Sequence, residues 1–87
     1  MYVLIVYDVS VEQGTKIHKL LKRWLHWRQN SVFEGELTEA QIEEVKNQLN
    51  SAINKETDSI LFYIARDERW LKREHLGKEG RTTDNLL

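Results

Sequence analysis

An acidic side chain ends an otherwise apolar run near the start of the chain. Residues 2–7 read YVLIVY, a series of apolar, β-branched and aromatic residues, and Asp8 follows them directly. A carboxylate here suits two roles. It can accept hydrogen bonds from backbone amides in the turn before the next helix, or it can bind magnesium, which prefers oxygen ligands and keeps several waters. Ser10 already fills the N-cap position, which weakens the first interpretation without excluding it.

Basic side chains are concentrated between residues 16 and 28. That segment has five lysines and arginines and no Asp or Glu, whereas residues 34–44 have five glutamates and no Lys or Arg. Such segregation creates a face that attracts phosphate although the formal net charge is −1. Two ordinary solvated helix faces would give the same pattern. The candidate phosphate contacts are Lys16, Lys19, Lys22, Arg23 and Arg28.

Other kinds of chemistry have no support in the sequence. It contains no Cys, no P-loop, no G-x-G-x-x-G motif and no Ser/His/Asp arrangement, which argues against disulfides, NTP hydrolysis, dinucleotide binding and acyl transfer. His18 and His26 lie two helical turns apart, too far to chelate one metal ion, and we interpret them as surface or interface residues. A second basic strip lies near the end of the chain, at Lys72, Arg73, Lys78 and Arg81.

Hydrophobic periodicity predicts the elements that position these residues. The first apolar run is typical of a strand. Ser10 followed by Gln13 is a capping-box signature, which predicts a helix from near Val11 to residues 25–27. Residues 27–37 are predicted to be extended, as one kinked strand or as two short strands that meet at Asn30 and Ser31. Gly35 is the candidate position for a β-bulge there.

The second half of the chain repeats this pattern. Thr38 with Gln41 is another capping-box signature, and the apolar residues after it recur at helical spacing as far as Ile53. The sequence SILFYIA at residues 59–65 predicts a buried strand. After Arg66 the chain is charged and irregular, and its last six residues, TTDNLL, are compatible with a frayed end or with a strand added to a partner's sheet.

This order of elements predicts an α+β, ferredoxin-like βαββαβ fold, with an antiparallel sheet and two helices on one face. We expect residues 1–66 to form the core and residues 67–87 a C-terminal extension that contributes to a dimer. An 87-residue chain without cysteine has a marginal core, so a second copy covering the other face, a homodimer, is expected. No signal peptide or membrane span is visible, which favours a cytoplasmic protein with no membrane partner.

Three stretches together resemble a known family. They are YVLIVYDVS at residues 2–10, RQNSVFEGEL at residues 28–37 and DSILFYIA at residues 58–65. In this order they are similar to the small CRISPR-associated nuclease family, the smaller of the two core proteins of the spacer-acquisition module (the Cas-two family). The segment Gln29–Leu37 is the more distinctive part, and the resemblance covers roughly residues 1–65.

The resemblance implies a homodimer with facing sheets, often with a short C-terminal strand that crosses to the partner's sheet. It implies metal-dependent hydrolysis of phosphodiesters in single-stranded RNA or double-stranded DNA, with Mg²⁺ as cofactor. It also implies a role in spacer acquisition and antiviral defence together with the CRISPR integrase of the acquisition module. A non-catalytic adaptor that binds duplex DNA and bridges integrase dimers is the alternative. An unrelated ferredoxin-like dimer, such as a toxin ribonuclease or a small-ligand sensor, is a third hypothesis.

The resemblance also implies roles for individual residues. Asp8 matches the family's catalytic aspartate, which binds the metal. Each subunit supplies one such aspartate, and the two lie near the dimer axis. Tyr7, Ser31 and Phe33 match supporting positions, and Arg28 matches a basic position. One departure concerns the turn after Asp8, where family members often carry several arginines and this chain has only Lys16 as a basic residue. RNA cleavage is therefore a weaker expectation than dimerisation or scaffolding.

Overall fold

The computed structural model describes residues 1–78. They form four strands, two helices and one short 3₁₀ turn, and no helix among them is long and apolar enough to cross a membrane. The strands are β1 (Tyr2–Asp8), β2 (His26–Gln29), β3 (Val32–Glu36) and β4 (Ser59–Ala65). The helices are α1 (Val11–Lys22) and α2 (Glu39–Ala52), and the 3₁₀ turn is Glu68–Trp70.

The four strands form one antiparallel sheet in the order β2-β3-β1-β4. Each helix connects two strands that are separated by one other strand, which is the ferredoxin-like arrangement, so the predicted fold is confirmed. The final TTDNLL segment and Arg81 lie outside the described residues, and the predicted strand exchange through that segment stays a prediction.

The hydrophobic core lies between the helices and one face of the sheet. Successive side chains of a strand point to opposite faces, and on β1 the residues Val3 and Ile5 point toward the helices and are fully buried. They pack against buried residues of both helices and of the neighbouring strand. These residues are Ile17, Leu21, Phe33, Ile42, Val45 and Leu49.

The other face of the sheet carries apolar side chains that no helix covers. Leu4 pairs with Tyr63, and Val6 pairs with Leu61. Leu61 and Tyr63 are each 50% exposed. Near one end of this face Leu71 lies beside Tyr2, Leu4 and Tyr63 around a shallow pocket. The two faces of β1 are therefore both apolar, but helices cover only one of them, and the segment around Leu71 covers only part of the other, called the uncovered face below.

Helix α1 begins at the predicted residue and ends earlier than predicted. Its last turn tightens, because the N–H groups of Arg23 and Trp24 donate to carbonyls three residues back, at 3.3 and 2.9 Å. Leu25 then packs into the core and His26 pairs with Glu34 on β3, so the chain has left the helix by residue 25. The apolar periodicity continues past the end of the helix because Trp24 and Leu25, which follow it, pack against the same core.

The two capping-box signatures have different outcomes. Thr38 and Gln41 make both reciprocal hydrogen bonds, at 3.1 and 2.9 Å. Ser10 is the N-cap of α1, but its side chain makes no cap hydrogen bond. Its backbone N–H donates instead to the carboxylate of Asp58.

The extended segment is a hairpin of two short strands. Its turn contains Asn30 in the left-handed region, with φ of 42°, which Asn tolerates better than most residues. The predicted bulge at Gly35 is wrong, because the register shift lies in β2, where Arg28 is the extra residue between Trp27 and Gln29. Gly35 serves a close approach instead, since a Cβ there would lie 3.0 Å from Cδ2 of Leu25.

Candidate functional site

Asp8 is the last residue of β1, and its side chain is exposed. The alternation along the strand places it on the uncovered face of the sheet, in line with Leu4 and Val6. Its backbone is held on both sides. Asp8 pairs with Ser59 on β4, and the N–H of Tyr7 donates to the carbonyl of Ser31 at 3.1 Å. The carboxylate thus stands at one end of an apolar face, on a backbone fixed by both neighbours.

Of the supporting residues predicted around Asp8, Tyr7 and Phe33 lie on the opposite face, and Ser31 lies in the turn between β2 and β3. The ring of Tyr7 stacks on that of Phe33 with 6.2 Å between centroids, and Phe33 is fully buried. Burial raises the pKa of the Tyr7 phenol. Ser31 contributes through its backbone carbonyl. In the described chain these three residues support the end of β1 by packing and by one backbone hydrogen bond.

The metal ligands of a single copy are too few for a closed site. Within residues 1–78 no three His, Cys, Asp or Glu side chains are close enough together to hold a metal ion. Asp8 is one hard oxygen ligand beside open solvent, and magnesium is commonly held by one or two carboxylates plus waters. A single exposed carboxylate is a weak magnesium site, and a second copy that supplied a second carboxylate would give a better donor set.

The predicted basic residues do not form one continuous patch. Lys16, Lys19, Lys22 and Arg23 are exposed on the solvent side of α1, and no ion pair joins them to another residue of the described chain. Arg28 lies elsewhere, on β2, where its Nε is 3.8 Å from Oε1 of Glu34. Arg28 is thus a partner of a buried carboxylate as well as a candidate phosphate contact.

That carboxylate was not singled out by the sequence analysis. Glu34 is on the central strand β3, on the face opposite the helices, and is only 2% exposed. The hydroxyl of Tyr2 donates to it at 2.6 Å, and Arg73 donates two hydrogen bonds, one of them at 3.0 Å to Oε1. Together with Leu71, this contact holds the segment after the 3₁₀ turn against the uncovered face.

The charges around Glu34 decide its protonation. Burial by itself raises the pKa of this carboxyl, but hydrogen bonds from Arg73 and Tyr2 and the charges of Arg73 and Arg28 outweigh it, so the pKa lies below its ordinary value of 4.5. Burial, followed by the bond to Glu34, raises the pKa of the Tyr2 phenol. One sequence signal was available: in the pattern VFEGE, Glu34 falls on the same face as the apolar residues of β1, where a carboxylate needs a basic partner.

His18 and His26 lie in different surroundings. His18, interpreted from the sequence as a surface or interface residue, is partly buried, and its ring makes edge contacts with Trp27 and Phe33 at centroid distances of 4.7 and 5.1 Å. This aromatic cluster joins α1, β2 and β3, so no local sequence pattern predicts it. His26 is exposed, but its predicted place on the first helix is wrong, because α1 ends at Lys22 and His26 is the first residue of β2.

Comparison with known proteins gives a consistent family assignment. The family model for the CRISPR associated protein Cas2 matches residues 1–73. A protein of Methanosarcina acetivorans named CRISPR-associated endoribonuclease Cas2 is 45% identical over 87 residues, 100% of both chains. One of the same name from Thermococcus kodakarensis is 41% identical over 87 residues, again 100% of both.

Solved structures agree with these sequence relatives. A crystal structure of a Cas2 protein superposes with a TM-score of 0.83 at 46% identity, covering 91% of this chain and 88% of that one. The crystal structure of Streptococcus pyogenes Cas2 at pH 6.5 gives a TM-score of 0.78 at 35% identity, covering 88% of this chain and 100% of that one.

The ion pair between Glu34 and Arg73 predicts a pH-dependent contribution to stability. Because the folded-state pKa of Glu34 is lowered, this contribution is present above about pH 4.5 and is lost as the pH falls through the folded-state value. Arg73→Ala should lower the free energy of unfolding by about 1–2 kcal/mol near pH 7, since Arg73 is partly exposed and Arg28 remains. Urea unfolding should show this difference shrinking toward pH 3.

A matched control is Arg69→Ala, which removes the exposed ion pair with Asp67. Solvent screens an exposed pair of this kind, so this variant should stay close to the wild type in stability. An Arg73→Ala variant that is equally destabilised at pH 7 and pH 3 would contradict the assignment of its effect to Glu34.

Proposed function

The chain belongs to the family of the CRISPR-associated protein Cas2, and from this membership we propose that it is a magnesium-dependent endonuclease that acts as a homodimer. Asp8 is its proposed metal ligand and catalytic residue. The observation that carries the proposal is the position of Asp8, an exposed carboxylate at the end of an apolar sheet face that no helix covers.

The apolar face supports the dimer. Leu61 and Tyr63 are large, half-exposed and adjacent to Leu4 and Val6, and burying apolar surface of this kind contributes about 25 cal/mol per Å². A two-fold axis makes the same face contact itself in both copies. Under that symmetry Asp8 is present twice, and the proposal requires the axis to pass near the Asp8 end of the face, so that the two carboxylates can share one ion.

Two carboxylates at such an axis suit a divalent cation. Like charges a few ångströms apart raise one pKa strongly, and a cation between them removes that penalty. Magnesium bound there supplies a Lewis acid for the phosphodiester and a lowered pKa for the attacking water. Asp8 holds the ion in place. Tyr7 and Phe33 keep the end of β1 rigid from the opposite face.

The exposed basic side of α1 supplies the proposed nucleic-acid contacts. Lys16, Lys19, Lys22 and Arg23 carry charge that no ion pair of residues 1–78 neutralises, and cations in such an array position the phosphate backbone without reading its sequence. Arg28, which is paired with Glu34 on the sheet, is a separate candidate. Relatives named endoribonucleases make RNA the first substrate to test, and duplex DNA is the second.

A non-catalytic role is the second candidate function. A duplex-DNA-binding adaptor that bridges dimers of the CRISPR integrase needs the basic array and the dimer, but not metal-dependent hydrolysis. The sparse basic residues after Asp8, where only Lys16 is charged positively, favour this candidate over RNA cleavage. Both candidates belong to spacer acquisition, and both use the same two surfaces of the chain.

Replacement of Asp8 tests catalysis directly. Asp8→Asn should reduce magnesium-dependent cleavage of single-stranded RNA and duplex DNA by at least about a hundredfold, because the substituted amide loses the charge that holds the ion. Glu12→Gln, which neutralises an exposed carboxylate four residues away in the sequence, is the matched control and should cut like the wild type. Activity is measured with magnesium and with chelator.

The same experiment separates the two candidate functions. Equal residual cutting by wild type and Asp8→Asn would reject the nuclease and indicate a contaminant. Absence of cutting by a wild type that still binds duplex DNA would select the adaptor.

A charged residue in the apolar face tests the dimer. Leu61→Asp should shift the solution mass from dimer to monomer, because the pairing of two such faces would bury the new charges without partners. Val11→Asp is the control, since Val11 is 91% exposed on α1 and lies off this face. Sedimentation of both variants beside the wild type gives the masses. A dimeric Leu61→Asp protein would place the contact elsewhere.

Charge reversal on α1 tests the phosphate contacts. The double change Lys19→Glu and Lys22→Glu should weaken duplex binding and flatten its dependence on salt, with a logarithmic slope reduced by about 2 if both residues contact phosphate. Lys46→Glu with Lys55→Glu changes the net charge equally on α2 and the following loop, and should have less effect. Fluorescence anisotropy across a salt series measures both. Equal losses would mean a general charge effect.

A further inference from the structure

We propose that Asp58 is a positioning residue that sets the direction of the Asp8 carboxylate, an inference that rests on the proposed metal-binding role of Asp8. Asp58 immediately precedes β4 and is only 8% exposed. It is a buried carboxylate outside the Glu34 network, and nothing in the proposed reaction uses it directly. Its contacts instead connect the two loops at the end of the sheet where Asp8 lies.

The two carboxylate oxygens of Asp58 bind different loops. Oδ1 accepts a hydrogen bond from the N–H of Ser10 at 3.2 Å, in the connection from β1 to α1. Oδ2 accepts one from the N–H of Asn54 at 2.9 Å, in the connection from α2 to β4. The Thr57 hydroxyl makes a longer contact of 3.5 Å with Oδ1. One side chain therefore fixes both connections relative to each other.

These contacts place Asp8 between two fixed points. Asp8 pairs with Ser59, the residue after Asp58, and Ser10 lies two residues beyond Asp8. The backbone that leaves β1 is thereby tied to β4 at the strand end and again at the helix start. Without the second tie, Val9 and Ser10 are held only by core packing and by the first turn of α1. The direction of the exposed Asp8 side chain is then less firmly fixed.

A carboxylate is the side chain that this position requires. Both of its oxygens accept from backbone N–H groups, whereas an amide has only one oxygen acceptor. Its negative charge also lies at the N-terminal end of α1, where the helix dipole favours an anion. Ser10 makes no side-chain cap, so Asp58 supplies the hydrogen bond at the start of this helix. Its removal leaves the partly buried N–H groups of Ser10 and Asn54 without this acceptor.

The geometry matters for metal binding because each copy would supply one ligand. A site built from few protein ligands depends on how precisely each is held, and supporting residues of this kind change metal affinity about 10–100-fold when mutated. An error in the direction of Asp8 would occur twice at a two-fold axis. Asp58 is therefore expected to act on ion affinity through Asp8, without touching the ion or the substrate.

The test uses the full chain and manganese as a paramagnetic probe. Titration of Mn²⁺ into ¹⁵N-labelled protein, without nucleic acid, broadens amide resonances near the ion, and the midpoint for Asp8 gives its affinity. Asp58→Asn should raise this midpoint roughly tenfold, and Asp58→Glu, which retains the charge but displaces it, should raise it as well. The magnesium midpoint for cleavage should shift in parallel, with a smaller change in maximal rate.

Two controls separate positioning from loss of stability. Thr57→Ala removes only the longest contact in the same loop and should keep the wild-type midpoint. Val45→Ala opens a cavity in the core between the helices and should lower the melting temperature without moving the midpoint. Amide hydrogen exchange at Ser10 should accelerate in the Asp58 variants alone, which reports the lost hydrogen bond independently of any metal.

The outcomes are distinguishable. A wild type whose Asp8 resonance does not respond to Mn²⁺ would overturn the proposed metal role and this inference with it. A responsive wild type with unchanged midpoints in both Asp58→Asn and Asp58→Glu would overturn the positioning role alone. A midpoint shift in Val45→Ala as large as that in Asp58→Asn would assign the effect to stability and would also overturn it.

Discussion

The structure depends on a sheet that is apolar on both faces and has helices on only one. Val3 and Ile5 of β1 are buried under α1 and α2, while Leu4 and Val6 of the same strand point to the side without helices. A chain of 87 residues has too few elements to cover both sides. In the proposed dimer a second copy would cover the face without helices. The dimer would also bring functional residues at the edge of that face close to those of the partner. In that proposed dimer two copies would share the end of this face, and Asp8 lies at that end.

Buried carboxylates hold the irregular parts of this small protein in place. Glu34 binds Arg73 and Tyr2, which fixes the segment after β4 against the uncovered face. Asp58 binds the backbone of Ser10 and Asn54, which fixes two loops at the end of the sheet. In both cases the carboxylate is tied to a segment outside the regular elements. The contacts that shape the proposed dimer face and the proposed metal site are thus ionic or charge-assisted, although the core itself is aliphatic and aromatic.

Asp8 and Tyr7 are adjacent in sequence but have different roles, because their side chains point to opposite faces of the sheet. Tyr7 stacks on Phe33 within the core side of the sheet, and Asp8, one residue later, points to the other side. The family relationship fits this arrangement, since the matched region includes both residues and extends through residue 73. It therefore also includes Arg73 and Asp58, whose contacts bring distant parts of the chain to the same sheet.

The sequence by itself determined the order of the elements, the ferredoxin-like fold, the core face of each helix and the position of Asp8 at the end of the first strand, because these follow from local periodicity. It placed the end of α1 and the bulge in β2 incorrectly, because a helix end and a strand register depend on which core sites the following residues reach. It gave no indication that His18 packs on aromatic rings or that Asp58 binds Ser10. Such contacts join residues that are distant in the chain, so only the tertiary structure decided them.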